Sequence, residues 1–246
     1  MIFDSKFMKR VMFTLLISLL EVSNVLAAVS VDRTRAIVEG VKGQALINIH
    51  NSSSDKPYLV QVWLETLDGK KDRIPLRAIP AMQRVDADKK AVIRIVPDSN
   101  INTLSKDIES AFYIAIREIP PVSKESNKLH LALQTKIKVF YRPDSLLKDA
   151  RKHWDIDLKL VKTQTGYDIV NPTPFNTTII NLFEHKAKEK RSGFTPVMIN
   201  PHSRVKVNSP HYLMPAMQTI TDHGGKPVLL FECNQDTCTP KENDES

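Results

Sequence analysis

The stretch NKLHLALQTKIKVFYRP, residues 127–143, combines two patterns that indicate one long, half-buried β-strand. Apolar side chains recur at every second position, on one face of an extended chain: Leu129, Leu131, Leu133, Ile137, Val139 and Tyr141. Polar side chains alternate with them: His130, Gln134, Lys136 and Lys138. A strand over 127–142 would span about 50 Å, whereas strands in globular proteins usually have about 3 to 10 residues. We therefore predict that part of this strand projects beyond its own domain and exposes an apolar edge, which proteins normally cover.

Short apolar segments on the N-terminal side of this strand predict further strands. They are VSVDRTRAIV, QALINIHN, PYLVQVWLET, KAVIRIVP and AFYIAIREI, and turn-forming residues separate them. This number of short strands favours an immunoglobulin-like β-sandwich over residues 28–143. Pro143 cannot donate to a sheet ladder, so it ends the long strand, and 144–153 has the composition of a linker. A second strand-rich region covers 154–246, so the chain is predicted to be all-β with two domains.

The first 27 residues have the organisation of a secretory signal peptide. Basic residues precede an apolar run over 11–20, and Val25 and Ala27 are small side chains at the −3 and −1 positions of a cleavage site after Ala27. A membrane anchor is the alternative, but the run is about half of the ~20 residues that a spanning helix needs. No later segment is apolar enough to span a bilayer. We therefore expect an exported protein without membrane insertion.

Cys233 and Cys238 are the only cysteines, and they follow the strand-like segment VLLFEC. In an exported protein, this spacing is typical of a disulfide that closes a terminal hairpin. Two free thiols and half of a metal site are the alternatives. No His, Asp or Glu cluster at ligand spacing lies next to them in the sequence, which favours the disulfide.

Motifs for catalysis and cofactor binding are not found in the sequence. The glycines do not form a phosphate-binding loop, and neither G-x-S-x-G nor H-E-x-x-H occurs. We predict a protein with no enzymatic activity, no cofactor and no metal. The net charge of +7 is dispersed among acidic residues without an aromatic-rich basic platform, so nucleic acid is not an expected partner.

Five stretches together resemble the periplasmic pilus (fimbrial) assembly chaperones, in order and spacing over essentially the whole exported chain. They are AVSVDRTRAIVEG (28–40), AFYIAIREIPP (111–121), LALQTKIKVFYRP (131–143), NPTPF (171–175) and HGGKPVLLFECNQDTC (223–238). The resemblance implies two immunoglobulin-like domains in an L-shaped (boomerang) arrangement. It also implies an ATP-independent chaperone of the periplasm, which caps pilus subunits by lending them a strand and delivers them to an outer-membrane usher.

The resemblance assigns roles to individual residues. Arg35 and Lys138 match the basic pair that anchors the C-terminal carboxylate of a subunit. Leu129, Leu131 and Leu133 match the alternating residues of the donated strand. Both assignments are physically reasonable, because a carboxylate in a partly dry cleft needs cationic donors and burial of each leucine contributes about 1.5–3 kcal/mol.

A charge cluster between the domains is also implied by the resemblance, formed by Arg94, Glu109 and Asp222. The expected partners are pilus subunits, both pilins and an adhesin, and the usher. A second copy of the chain is a further candidate partner, because a homodimer can cap an exposed edge. The alternatives are a secreted immunoglobulin-like adhesin or fibre component, which would polymerise or bind host ligands unaided, and a periplasmic hydrolase.

Overall fold

The computed structural model describes residues 28–122, 131–148, 154–186 and 193–241. The predicted signal peptide, 1–27, lies outside the described residues. Nine strands of the described chain precede Pro143: β1 Val29–Val31, β2 Arg35–Glu39, β3 Ala45–Asn51, β4 Tyr58–Glu65, β5 Leu76–Ile79, β6 Met82–Val85, β7 Lys90–Pro97, β8 Ser110–Ile119 and β9 Gln134–Arg142. Short 3-10 helices occupy Ser99–Thr103 and Asp144–Leu146. No described helix is long and apolar enough to cross a membrane.

Two sheets pack face to face in the N-terminal domain. One has the strand order β1-β3-β7-β5 and the other β2-β9-β8-β4-β6. Side chains that alternate along the strands fill the space between them, including Ile47, Ile93, Ile114 and Val139, which are fully buried. This arrangement is the predicted immunoglobulin-like sandwich.

The C-terminal domain contains eight described strands: β10 Lys159–Thr163, β11 Gly166–Asn171, β12 Thr177–Glu184, β13 Val197–Ile199, β14 Ser203–Asn208, β15 Pro215–Ile220, β16 Val228–Asn234 and β17 Thr237–Pro240. They form a continuous sheet in the order β13-β12-β15-β16-β17-β10-β11-β14, which folds around a second core. Leu160, Tyr167, Ile169 and Leu182 are fully buried there. The all-β prediction and the two sandwich domains are therefore confirmed.

The long strand predicted over 127–142 is shorter in the structure. β9 begins at Gln134, residues 131–133 are not in a strand, and 127–130 lies outside the described residues. β9 begins at Gln134 because its partner strand β8 is near its own end there. The last pair of this ladder is Arg117 with Gln134, and one more hydrogen bond follows, from the Glu118 N–H to the Leu133 carbonyl at 3.0 Å. Pro120 and Pro121, which directly follow β8, cannot extend the ladder, because proline has no N–H to donate.

Candidate functional site

Arg35 and Lys138 lie side by side where the two domains meet. β2 pairs with β9 in parallel, and the register places these two residues directly opposite each other. Arg35 is buried, with 7% of its surface exposed, and Lys138 is half-buried. Directly opposed residues of neighbouring strands project from the same face. The fold therefore brings together the predicted pair, although 103 residues separate the two positions in the sequence.

In the described part of the chain, the hydrogen-bond acceptors of Arg35 and Lys138 are neutral groups. Arg35 Nη1 donates to the Ile220 carbonyl at 3.2 Å, and Lys138 Nζ donates to Thr178 Oγ1 at 3.3 Å. Both acceptors belong to the C-terminal domain. Arg35 Nε is buried without a hydrogen-bond partner among the described residues. An unused buried donor on a cation is costly, so the site is suited to an incoming anion.

Burial lowers the pKa of both cations. Desolvation lowers the pKa of Arg35, and the charges of Asp222 and Glu109 oppose this effect. Desolvation also lowers the pKa of Lys138, and the neighbouring positive charge of Arg35 adds to this effect. Two like charges held together in a partly dry site are destabilised, and a carboxylate between them would favour the charged form of both side chains.

A cleft of about 730 Å³ opens beside Arg35, and Lys138 is not among its lining residues. Arg33, Arg35 and Ile37 line it from the N-terminal domain, and Thr219 and Asp222 are among the lining residues of the C-terminal domain. Its size falls within the range of ligand pockets, roughly 300–1,000 Å³. The cleft can therefore hold the end of a peptide chain next to the Arg35 guanidinium.

The edge of β9 is open on the N-terminal side of Lys138. β2 covers β9 only from Lys138 to Arg142, so residues 134–137 have β8 as their one neighbouring strand among the described residues. Leu131 and Leu133 precede this edge with 56% and 39% of their surfaces exposed. Leu129, the third predicted donor residue, lies outside the described residues. An exposed edge with exposed leucines next to it is a template for pairing with another chain.

A buried charge cluster joins the domains close to the cleft. Arg142 on β9 donates through Nε and Nη2 to Glu109 Oε2 at 3.0 and 2.7 Å, and through Nη1 to Asp222 Oδ2 at 2.9 Å. The side chains of Arg142 and Glu109 are only 2% and 1% exposed. Burial lowers the pKa of Arg142, but the charges of Glu109 and Asp222 outweigh it, so the pKa is raised.

The prediction that Arg94 belongs to this cluster is wrong. Arg94 lies on β7, in the other sheet of the N-terminal domain, where its strand neighbours are Leu46 and Ile79 and its side chain is exposed. Arg142 is the cation that joins Glu109 and Asp222. The sequence does carry a signal for it, because Arg142 is four residues after Lys138 and therefore projects from the same face of β9.

The NPTPF turn supplies further contacts to Glu109 from the C-terminal domain. Asn171 Nδ2 donates to the Phe175 carbonyl at 2.7 Å, and Thr173 Oγ1 donates to Asn171 Oδ1 at 2.7 Å, so the turn is held by its own side chains. Asn176 follows the turn and donates to Glu109 Oε1 through its backbone N–H and Nδ2, both at 3.1 Å. The Glu109 carboxylate is therefore shared between the two domains.

Cys233 and Cys238 form a disulfide with a sulfur–sulfur distance of 2.01 Å. They face each other in the β16–β17 hairpin, as predicted. This finding excludes the two alternatives, free thiols and a metal site at these cysteines. The disulfide is part of the C-terminal core, since Cys238 is fully buried, and it lies outside the candidate site.

Comparisons with known proteins agree with this geometry. Residues 28–147 match the family model described as "Pili and flagellar-assembly chaperone, PapD N-terminal domain". Residues 153–229 match "Pili assembly chaperone PapD, C-terminal domain". The chain is 40% identical over 226 residues to the chaperone protein PapD of Escherichia coli, an alignment that covers 92% of this chain and 95% of PapD.

Solved structures show the same architecture. The crystal structure of the periplasmic chaperone SfaE is similar with a TM-score of 0.67 and 27% identity, over 81% of this chain and 95% of that chain. A chain from the complex of the Salmonella enterica SafA pilin with the SafB chaperone shares the fold, with a TM-score of 0.71 and 22% identity over 86% of this chain and 99% of that chain. The resemblance noted in the sequence is thus confirmed, and the chain belongs to the PapD family of periplasmic pilus-assembly chaperones.

Proposed function

We propose that this protein caps pilus subunits by donating a strand to them, without ATP, and delivers them to an outer-membrane usher. One observation carries the proposal: the buried Arg35 and the half-buried Lys138, whose hydrogen-bond acceptors in the described residues are neutral, lie where an open strand edge begins. The C-terminal carboxylate of a subunit would occupy the Arg35–Lys138 pair. The strand that ends in this carboxylate would then run along the open edge of β9.

The exposed leucines account for affinity in this proposal, and the cations account for register. Burial of Leu131 and Leu133 would contribute about 1.5–3 kcal/mol each before ordering costs, and Leu129 would add a similar amount. A carboxylate fixed at Arg35 and Lys138 determines which subunit residues lie beside each leucine. Because side chains alternate along a strand, a slip of one residue would present the wrong face.

The remaining elements of the proposal rest on the sequence and on family membership. Residues 1–27 act as a signal peptide that is removed after Ala27, which places the chaperone in the periplasm. The two domains comprise 28–143 and 154–246, with 144–153 as the linker. Pilins and an adhesin are the subunits, the usher is the acceptor, and a second copy of the chain caps the open edge when no subunit is bound.

Co-expression with the pilin encoded nearest to this gene tests the proposal. We expect the subunit to stay soluble and to co-purify with the chaperone, and Arg35→Ala or Lys138→Ala to abolish co-purification while each variant stays folded. Lys90→Ala and Arg204→Ala are matched controls, because both residues are exposed on strands away from the cleft. Unchanged complexes with both anchor variants would refute the anchor. Polymerisation of this chain alone would instead favour the adhesin alternative, and enzymatic turnover would favour the hydrolase.

A further inference from the structure

Glu118 is a buried carboxylate that the subunit-binding site does not use. It lies on β8 among the core residues of the N-terminal domain, with 6% of its surface exposed. Its Oε2 accepts a hydrogen bond from the backbone N–H of Val29 at 2.6 Å. Within the described residues it has no cationic partner. A buried anion with a single neutral donor is expensive, so a cation is expected to complete the site.

The donor of that hydrogen bond, Val29, is the second residue after the proposed cleavage point. Removal of residues 1–27 would turn the amide nitrogen of Ala28 into a free α-ammonium group. Three covalent bonds separate this nitrogen from the Val29 nitrogen. Standard bond lengths therefore limit the distance between the two nitrogens to about 3.7 Å. Residue 28 is already fixed in the fold, because its carbonyl accepts a hydrogen bond from Ser52 N–H at 2.6 Å. The new charge would therefore form within a few ångströms of the Glu118 carboxylate.

We propose that Glu118 is a binding site for the α-ammonium group of Ala28, and that signal-peptide removal completes this site. The inference rests on the cleavage included in the proposed function. Before cleavage, position 28 carries a neutral amide, which cannot neutralise the carboxylate. After cleavage, the ammonium group supplies a charge-assisted hydrogen bond, and such bonds are about twice as strong as neutral ones.

The position of Glu118 links this site to the donor segment. The Glu118 backbone N–H donates to the Leu133 carbonyl at 3.0 Å. A small crevice is lined by Val29, Glu118 and Leu133, together with Ile116 and Thr135. The chain start, the end of β8 and the residues before the open edge therefore meet at one point. Closure of the chain start on Glu118 would stabilise the base of the segment that a subunit contacts.

Tyr58 is a titratable group near this carboxylate. Burial raises the pKa of Tyr58, and the charges of Glu118 and Asp55 raise it further. Tyr58 is neutral at pH 7 and provides no cation.

An NMR titration of the Ala28 α-amino group tests the proposal directly. The chain is released from an N-terminal fusion by a protease that leaves Ala28 as the first residue. We expect the amino pKa to lie about one unit above the ordinary 7.7–8.0, because a carboxylate within ~4–6 Å favours the charged form. Glu118→Gln should return this pKa to the ordinary range, whereas Glu232→Gln, an exposed glutamate on β16, should leave it raised. An identical amino pKa in the parent chain and Glu118→Gln would overturn the proposal.

Nα-acetylation gives a second test that does not depend on the NMR signal. Acetylation removes the charge, so we expect it to lower the Tm of the parent chain and of Glu232→Gln by a few degrees and to leave that of Glu118→Gln unchanged. An equal shift in all three proteins would contradict the proposal. Neither measurement uses a subunit, so failure here is distinguishable from failure of the chaperone function.

Discussion

Arg142→Met is expected to destabilise the protein strongly, because it leaves a buried carboxylate without its cation. Methionine keeps a side chain of similar length and removes the charge. The variant loses both bonds to Glu109 and the bond to Asp222, and Glu109 stays almost fully buried. Removal of one member of a buried ion pair costs about 3–5 kcal/mol. The two donors from Asn176 remain on Glu109, and Asp222 is partly exposed, so we expect the lower end, about 3 kcal/mol.

Urea denaturation followed by circular dichroism measures this loss. A typical m-value of about 1–3 kcal/mol/M converts 3 kcal/mol into a midpoint shift of at least ~1 M. The double variant Arg142→Met/Glu109→Gln should recover part of the loss, since it removes both charges. A loss below about 1 kcal/mol for the single variant would refute the reasoning, because it lies outside the range for buried pairs.

The pH dependence of this loss has a definite sign. Burial raises the pKa of Glu109, and Arg142 opposes that increase. Without Arg142 the pKa of Glu109 rises further, so its folded-state value lies above its unfolded value. Stability is then fully present below the unfolded pKa and is lost as pH rises through the folded pKa. The destabilisation should therefore be smaller at pH 5 than at pH 8, and a loss that grows on acidification would contradict this cause.

Three further predictions concern the site and the disulfide. Lys138→Met should abolish subunit capture but raise the Tm of the free chaperone. Burial and the charge of Arg35 lower the pKa of Lys138, so the charged lysine is destabilised in the free protein, and a lower Tm in the variant would contradict this. Leu131→Glu should prevent co-purification of a subunit, whereas Leu213→Glu, at a leucine of the C-terminal domain with 94% exposure, should not; equal recovery would count against strand donation. Cys238→Ala should lower the free energy of unfolding by about 2 kcal/mol, since the closed loop is short, and a shift near zero in chemical denaturation would contradict this estimate.

Local patterns predicted most of the strands and the disulfide hairpin, but β5 and β6 lie outside the predicted segments, and the segment VSVDRTRAIV forms two strands, β1 and β2. Alternation at Ile137, Val139 and Tyr141 predicted burial on one face of β9, and all three belong to the N-terminal core. Periodicity did not predict where β9 begins, since that depends on a partner strand that Pro120 and Pro121 interrupt. The alternation of apolar and polar side chains is a property of a single strand, whereas the position where a β-ladder ends depends on both of its strands.

Contacts between the domains were harder to predict. Arg94 and Arg142 are both strand arginines, and periodicity does not show which of them reaches Glu109. The answer depends on which sheet each strand joins, and it is visible only once β9 is paired with β8 and the C-terminal domain is in place. The same holds for Glu118, which the alternation of AFYIAIREI places on the core face but whose contact with Val29 depends on how the two sheets pack.

The most direct test of the subunit anchor is a comparison of two synthetic peptides that reproduce the C-terminal strand of the nearest encoded pilin. One ends in a free carboxylate and the other in an amide, and their affinities for the chaperone are measured by calorimetry. Hydrogen bonds to a charged group contribute about 1.5–3 kcal/mol each, so we predict at least a tenfold preference for the free acid. In Lys138→Met most of that preference should be lost. Equal affinity of the chaperone for the acid and the amide would contradict the proposal that Arg35 and Lys138 hold the subunit by its carboxylate.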